Sequence, residues 1–147
     1  MPDPSVRTQF RFRLSSMRIL ISGPTGLIGS ALIRSAGAAG HTTVPLVRKQ
    51  GVHSSIYWDP EAGTIDKASL EGFDAVLHLA GESIAAGRWT SAQKARILDS
   101  RVKGTSLLAS ALAQLGRPPP VLVSSSAIGF YGDCGVRLLT ESSPGGS

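Results

Sequence analysis

A chain of 147 residues, of which 41% are hydrophobic, has the length and composition of one compact domain. No apolar run of about 18 residues or more occurs, so the sequence predicts no membrane-spanning helix and no membrane partner. Of the net charge of +5, residues 1–16 supply +2, and the rest of the chain has no basic cluster interleaved with aromatic residues. We therefore expect no nucleic-acid partner.

The single cysteine, Cys134, cannot form an internal disulfide, and the three histidines show no ligand-like spacing near it. The sequence thus predicts no metal site, and it favours a reducing compartment, the cytoplasm. Residues 1–16 lack hydrophobic periodicity, whereas Met17 directly precedes a convincing strand. We expect a disordered extension over residues 1–16, with a targeting leader as the alternative, and a domain over residues 17–147.

The first half of the chain predicts two strands joined by a helix. Residues 18–21 form a short apolar run that ends in a glycine-rich loop, and residues 30–39 follow with helical spacing. Residues 44–47 are the second predicted strand, although Pro45 would remove one hydrogen bond from the ladder.

The second half continues the alternation. Residues 56–58 predict a third strand, followed by a turn at residues 59–63, and residues 75–79 predict a buried fourth strand. A capping box at residues 90–93 opens a long amphipathic helix that we expect to reach Gly116. Residues 121–123 form the fifth predicted strand.

This alternation of strands and helices predicts an α/β fold. Short connections require right-handed crossovers and a parallel sheet, which gives a Rossmann-type doubly wound, three-layer sandwich with strand order 3-2-1-4-5. In such a sheet ligands bind at the carboxyl ends of the strands, where the order reverses between the first and fourth.

The glycine-rich loop lies at that edge. Glycines let the backbone turn tightly, and the N–H groups that open the next helix, aided by its dipole, bind an anion. The strand-loop-helix context indicates a dinucleotide pyrophosphate, and the alternative is an ordinary turn with a helix-packing contact. The loop reads Gly23-Pro24-Thr25-Gly26-Leu27-Ile28-Gly29, and all of these but Pro24 are predicted to bind cofactor.

Two further features bear on chemistry at this edge. After the second strand, an acidic residue would suit the ribose hydroxyls of NAD, whereas Arg48 and Lys49 suit the 2′-phosphate of NADP. The alternative is a solvated basic loop end. After the fifth strand, Ser125 and Ser126 offer hydroxyls to a carbonyl or hydroxyl that undergoes hydride transfer, although serines also cap turns.

These stretches resemble the epimerase-like, extended branch of the short-chain dehydrogenase/reductase superfamily. The resemblance covers residues 17–147 and is carried by the glycine loop, by the segment after the fourth strand and by the serine run that leads to Tyr131-Gly132. More narrowly, residues 79–84, 88–90, 100–105 and 126–132 are similar to a group of sugar-nucleotide epimerase-like proteins with an extra C-terminal domain of unknown function.

The resemblance implies the NADP(H)-binding portion of an epimerase-like oxidoreductase that acts on a sugar nucleotide or a small carbonyl or hydroxyl compound. Either Ser125 or Ser126 would be its substrate-polarising, catalytic serine. The segment after the fourth strand would also contact the cofactor: Leu79, Ala80, Gly81 and Glu82.

The superfamily's Tyr-x-x-x-Lys pair is missing, because Tyr131 is followed four residues later by Gly135. A non-catalytic NADP(H)-binding redox sensor or regulatory protein is therefore the alternative function. We also expect a truncated form of the family's fold. An apolar strand edge exposed by that truncation would favour a homodimer.

Overall fold

The computed structural model describes residues 16–85 and 87–146, so all of the predicted extension except Ser16 lies outside the described residues. These residues form six strands, two α-helices and two short 3-10 helices. The strands are Arg18–Ser22 (β1), Thr42–Val47 (β2), Ile56–Asp59 (β3), Thr64–Ile65 (β4), Ala75–His78 (β5) and Val121–Ser124 (β6). The helices are Leu27–Ala38 (α1) and Ser91–Ala113 (α2), and the 3-10 helices are Ala68–Leu70 and Ile128–Tyr131.

The strands form one sheet in the order β4-β3-β2-β1-β5-β6. All neighbouring pairs are parallel except β3 with β4. The five predicted strands have the predicted order, which confirms the Rossmann-type α/β fold. The addition is β4, a two-residue strand directly after the predicted turn, to which the sequence analysis assigned no element, and it extends the edge of the sheet beyond β3.

The two long helices lie on opposite faces of the sheet. α1 connects β1 to β2, and α2 connects β5 to β6, so the two connections run toward opposite edges of the sheet. Because both crossovers are right-handed, the two helices lie on opposite faces. The predicted strand-helix alternation is incomplete elsewhere, because β2 runs into β3 through a loop and β3 reaches β5 through β4 and a 3-10 helix.

The hydrophobic core lies between the sheet and α2. Leu20 of β1 and Val76 of β5 are fully buried and meet Leu108 of α2, which is 1% exposed. Because side chains alternate along a strand, Ile19 and Ile21 point to the opposite face, the side of α1. The core cluster contains Leu20, Leu46, Ile56, Trp58, Leu70, Phe73, Val76, Leu108, Ala111 and Leu112.

α2 begins as the capping box predicts, but only half of the box forms. The Thr90 hydroxyl accepts a hydrogen bond from the Gln93 amide at 3.2 Å, while the Gln93 side chain donates to the Ser83 carbonyl instead of returning to the cap. The helix ends at Ala113, before the predicted Gly116. No helix among the described residues is long and apolar enough to cross a membrane.

Pro45 is accommodated inside a strand that has neighbours on both sides. It pairs in register with Ile21 of β1, but pairing between β2 and β3 begins one residue later, at Leu46. Pro45 therefore has a strand neighbour only on the β1 side, and the predicted loss of a ladder bond does not break the sheet.

The start of α1 packs against the loop that precedes it with no room for a side chain. A β-carbon at Gly29, which is buried in the first turn of α1, would lie 2.2 Å from the Gly23 carbonyl oxygen. A β-carbon at Gly37, further along the same helix, would have open space: apart from its own helix and chain neighbours, no atom of the described residues lies within 4 Å of it. The close contact is therefore specific to the helix start.

We predict that Gly29→Ala lowers the free energy of unfolding by about 1–3 kcal/mol, because the new methyl group overlaps backbone that cannot move away cheaply. The matched control, Gly37→Ala, raises it by about 0.5–1 kcal/mol, because alanine loses less backbone entropy on entering a helix. Urea denaturation of both variants and the parent chain measures the difference. Equal midpoints for the two variants would contradict the described packing.

Candidate functional site

A cleft of about 620 Å³ opens at the carboxyl edge of the sheet, above β1, β2 and β5. It lies where the strand order reverses, which is the ligand position in open α/β sheets. Nine of the twelve residues predicted to bind cofactor line it: Gly23, Thr25, Gly26, Arg48, Lys49, Leu79, Ala80, Gly81 and Glu82. Leu27, Ile28 and Gly29 do not line it, and the first two expose 89% and 61% of their surface.

The glycine loop turns the amino end of α1 toward this cleft. Gly23 has a φ of +70°, in the region that favours glycine, and its carbonyl accepts a hydrogen bond from the Gly26 amide at 3.2 Å. Gly26 is the N-cap residue and has no side chain that could cap the helix, and the first turn of the helix holds no acidic residue. The amide groups that open α1 and the positive end of its dipole are thus available to an anion. Leu27 and Ile28 would contribute these amides and not their side chains.

The floor of the cleft is the backbone that follows β5, and the Ser22 hydroxyl fixes it to β1. The hydroxyl accepts hydrogen bonds from the amides of Leu79, at 3.0 Å, and Ala80, at 3.2 Å. A β-carbon on Gly23 would lie 2.9 Å from the Leu79 carbonyl, so the loop and the floor are in backbone contact. Sequence analysis did not identify Ser22. Its position as a polar residue at the carboxyl end of an apolar strand was the available signal.

His78, the last residue of β5, is 3% exposed and lies beneath the same floor. Its Nδ1 is 2.7 Å from the Ser22 hydroxyl, and its Nε2 is 3.1 Å from the Thr105 hydroxyl of α2. The ring also meets the Trp58 ring edge-on, with centroids 5.8 Å apart. Burial lowers the pKa of His78, because the apolar surroundings disfavour the charged imidazolium.

One end of the cleft carries charges of both signs. Arg48 and Lys49 follow β2 and are exposed, while Asp59, the last residue of β3, and Glu61, two residues later, also line the cleft. The Glu61 carboxylate forms an ion pair of 2.6 Å with Lys103 of α2. Sequence analysis assigned the two acidic residues no role, although they follow the third strand as the two basic residues follow the second.

α2 supports the segment after β5 from the other side. The Ser100 hydroxyl accepts a hydrogen bond from the Glu82 amide at 2.9 Å, and Arg101 donates to the carbonyls of Glu82 and Ile97. The Arg101 guanidinium also packs on Gly81. A β-carbon added to Gly81 would lie 3.2 Å from Cζ of Arg101. Arg101 therefore binds backbone carbonyls and has no ion pair with an acidic side chain of the described residues.

The predicted serines follow β6, next to the end of β5, but outside the lining of the cleft. The Ser125 amide donates to the His78 carbonyl at 3.0 Å, and both Ser125 and Ser126 are exposed. Tyr131 is half-buried and packs edge-on against Phe130, with ring centroids 5.1 Å apart. The structure brings the glycine loop, the floor and the basic pair together around one cleft, and it leaves the serines at the neighbouring strand end.

Comparisons with known proteins agree with this architecture. A family model described as "NAD dependent epimerase/dehydratase family" matches residues 19–145. The chain is 38% identical over 130 residues to the epimerase family protein Mb2239 of Mycobacterium bovis, a match that covers 88% of this chain and 42% of that protein. It is 35% identical over 132 residues to the human epimerase family protein SDR39U1, covering 88% of this chain and 43% of the human protein.

Two solved structures have similar folds. The crystal structure of human SDR39U1, isoform 2, with NADPH aligns with a TM-score of 0.75 and 36% identity, covering 88% of this chain and 43% of that one. The nucleoside-diphosphate sugar epimerase from Corynebacterium glutamicum aligns with a TM-score of 0.75 and 35% identity, covering 90% and 27%. This chain thus spans less than half the length of these relatives. Because the family model matches most of its length, the chain belongs to the NAD dependent epimerase/dehydratase family.

Proposed function

We propose that this chain is the NADP(H)-binding portion of an epimerase-like oxidoreductase. The observation that carries the proposal is the amino end of α1, which has no side-chain cap and opens beside a cleft of about 620 Å³. A dinucleotide pyrophosphate supplies the negative charge that such a helix end stabilises. The remaining length of the cleft extends between the ends of β2 and β5, where the two nucleoside halves would lie.

The preference for NADP over NAD rests on Arg48 and Lys49. Both are exposed at the carboxyl end of β2, on the side of the cleft where the adenosine ribose is expected. Their positive charges would bind a 2′-phosphate, which NAD lacks. The human relative of known structure was solved with NADPH, which supports the same cofactor for this chain.

The substrate we propose is a sugar nucleotide, or a small carbonyl or hydroxyl compound. The relative from Corynebacterium glutamicum is described as a nucleoside-diphosphate sugar epimerase, which supports this class. Ser125 or Ser126 would hydrogen-bond the oxygen at the reacting carbon, because both follow β6 beside the cleft floor. The cofactor would supply the hydride chemistry, and the protein would orient the substrate.

A non-catalytic sensor of NADP(H) is the second candidate function, favoured because neither tyrosine of the given sequence, Tyr57 or Tyr131, is followed four residues later by a lysine. Both functions fit the cytoplasmic location that we propose, since NADP(H) and the unpaired thiol of Cys134 suit a reducing compartment.

We expect the chain to bind NADPH more tightly than NADH in a calorimetric titration. Arg48→Ala weakens NADPH binding by about tenfold and leaves NADH binding unchanged, because a charge-assisted hydrogen bond to the 2′-phosphate is lost. Arg117→Ala is the matched control, because it removes the same charge from an exposed position outside the cleft. No saturable binding of either dinucleotide would refute the proposed function.

An activity assay with NADPH and a panel of sugar nucleotides separates enzyme from sensor. If the protein is an enzyme, Ser126→Ala or Ser125→Ala lowers kcat by about 100-fold, the size of effect seen when one donor to a developing oxyanion is removed. Neither change should alter NADPH binding, because neither serine lines the cleft. Tight NADPH binding without turnover of any substrate favours the sensor.

We also propose that the chain forms a homodimer through β6. Among the described residues this strand pairs only with β5, and Val121, Leu122 and Val123 are 47%, 44% and 49% exposed. An apolar strand with one unpaired edge favours association. Sedimentation at about 50 µM should show a dimer, and Val123→Lys should restore a monomer, since an edge lysine opposes strand pairing. A monomeric parent chain would contradict this proposal.

A further inference from the structure

His78 is a buried, titratable side chain to which the proposed cofactor chemistry assigns no role. It belongs to a continuous chain of hydrogen bonds that runs from Ser22 of β1, through the imidazole at the end of β5, to Thr105 of α2. Ser22 is fully buried and His78 is 3% exposed, so water does not compete for the bond between them, whereas Thr105 is half-buried.

The direction of each hydrogen bond follows from counting donors and acceptors. A serine hydroxyl has one proton and two lone pairs. Both lone pairs of Ser22 accept amide protons, from Leu79 and Ala80, so its own proton goes to Nδ1 of His78. Nδ1 is then an acceptor, the neutral ring carries its proton on Nε2, and Nε2 donates to the Thr105 hydroxyl.

The orientation of the Ser22 hydroxyl therefore depends on an acceptor that α2 holds in place. Thr105 fixes the Nε2 end of the ring, and the backbone of α2 packs close by. A β-carbon on Gly104 would lie 3.3 Å from Trp58, a tight contact, and 3.7 Å from the His78 ring, an ordinary contact. Trp58 packs against the ring from β3. Three elements thus determine the position of one imidazole.

The hydroxyl so oriented fixes the floor of the candidate cleft. Leu79 and Ala80 both line the cleft, and their backbone lies against Gly23 with no space for a β-carbon. A shift of the floor would therefore displace the glycine loop and the amino end of α1 with it.

We propose that His78 is a positioning residue for dinucleotide binding, which acts through Ser22 to hold the cleft floor against the glycine loop. It touches no ligand, and its role requires the Nε2-protonated neutral ring. This inference rests on the proposed function, because it explains how the same cleft keeps its shape.

Protonation of His78 would break the arrangement. A proton on Nδ1 would face a hydroxyl whose two lone pairs already accept amide protons, so at least one of the three bonds to Ser22 would be lost. The side chains that contact the ring carry no charge. The charged side chains on β1, β3 and α2 bind other groups or are exposed. Arg18 binds the Glu71 carbonyl, Asp59 the amides of Glu61 and Ala62, Arg96 the Gln93 side chain, Arg101 two carbonyls and Lys103 Glu61, and Lys94 and Asp99 are exposed.

The sign of the pH dependence follows from the lowered pKa. As the pH falls, the unfolded chain takes up a proton at His78 near the ordinary value of about 6.5, before the folded chain does. The stability that neutral His78 contributes is present in full above that pH. It is lost as the pH falls toward the lower pKa that His78 has in the folded chain. Cofactor binding should weaken over the same acidic range.

The test begins with the tautomer in the ¹⁵N-labelled chain at pH 8. Long-range ¹H–¹⁵N correlation of the His78 ring should show a proton on Nε2 and none on Nδ1. A ring protonated on Nδ1 would overturn the proposal, and this measurement needs no variant and no cofactor.

The second arm uses Thr105→Val, which keeps the side-chain shape and removes the acceptor, with Thr105→Ser as the matched control that retains the hydroxyl. Valine should weaken NADP⁺ binding by about tenfold, the consequence of a lost buried hydrogen bond, and should speed hydrogen exchange at the amides of Leu79 and Ala80. Thr105→Ser should keep both NADP⁺ binding and amide exchange at the wild-type level. Wild-type binding and exchange in the valine variant would overturn the proposal.

The third arm compares the pH dependence of NADP⁺ binding in the wild type and in His78→Asn. The asparagine carbonyl can accept from Ser22 but does not titrate, so the variant should lose part of the weakening seen in acid. The 2′-phosphate of the ligand titrates alike in both proteins. Identical profiles would overturn the role of His78. If the wild type binds no dinucleotide, the proposed function fails, whereas the tautomer and amide exchange still decide whether the floor is held as proposed.

Discussion

The candidate site depends on a contact between two stretches of backbone. The glycine loop after β1 and the segment after β5 meet so closely that a side chain on Gly23 would overlap the Leu79 carbonyl, and Gly29 is confined in the same way against Gly23. This contact aims the amino end of α1 at the cleft. Neighbouring parallel strands bring the two segments to the same edge, but only glycine permits the final approach.

α2 is the scaffold for this contact. Its buried face closes the core against Leu20 and Val76, so its position relative to the sheet is fixed by apolar packing. From that position it contacts His78 at the end of β5 through Thr105, and it supports the segment after β5 through Ser100 and Arg101. Hydrophobic burial therefore sets the distance at which the polar contacts around the cleft form, and changes in the α2 core should be transmitted to the cleft floor.

The sequence predicted the fold well because strand and helix patterns were locally clear. The order of five strands followed from right-handed crossovers, whereas β4 was missed because two residues after Gly63 carry no periodicity. The glycine loop and the floor were found through sequence motifs. Ser22, His78 and Thr105 were not, because they are distant in sequence and meet only when β1, β5 and α2 are packed. A single sequence can show that Ser22 is a polar residue at the end of an apolar strand, but it does not show which distant residue hydrogen-bonds to it.

The described residues hold one end of the site in place through many contacts and leave the other end exposed. Around the glycine loop, contacts from other elements support parts of the cleft, because Ser22 holds the floor and Lys103 pairs with Glu61. At the other end, Ser125 and Ser126 are exposed beside β6, whose four residues are all exposed as well. A hydroxyl that polarises a reacting carbonyl needs surroundings that exclude water and fix its orientation. The described residues give the candidate cleft such supports and give the two serine hydroxyls none, so the proposed cofactor site is structurally better determined than the proposed substrate site.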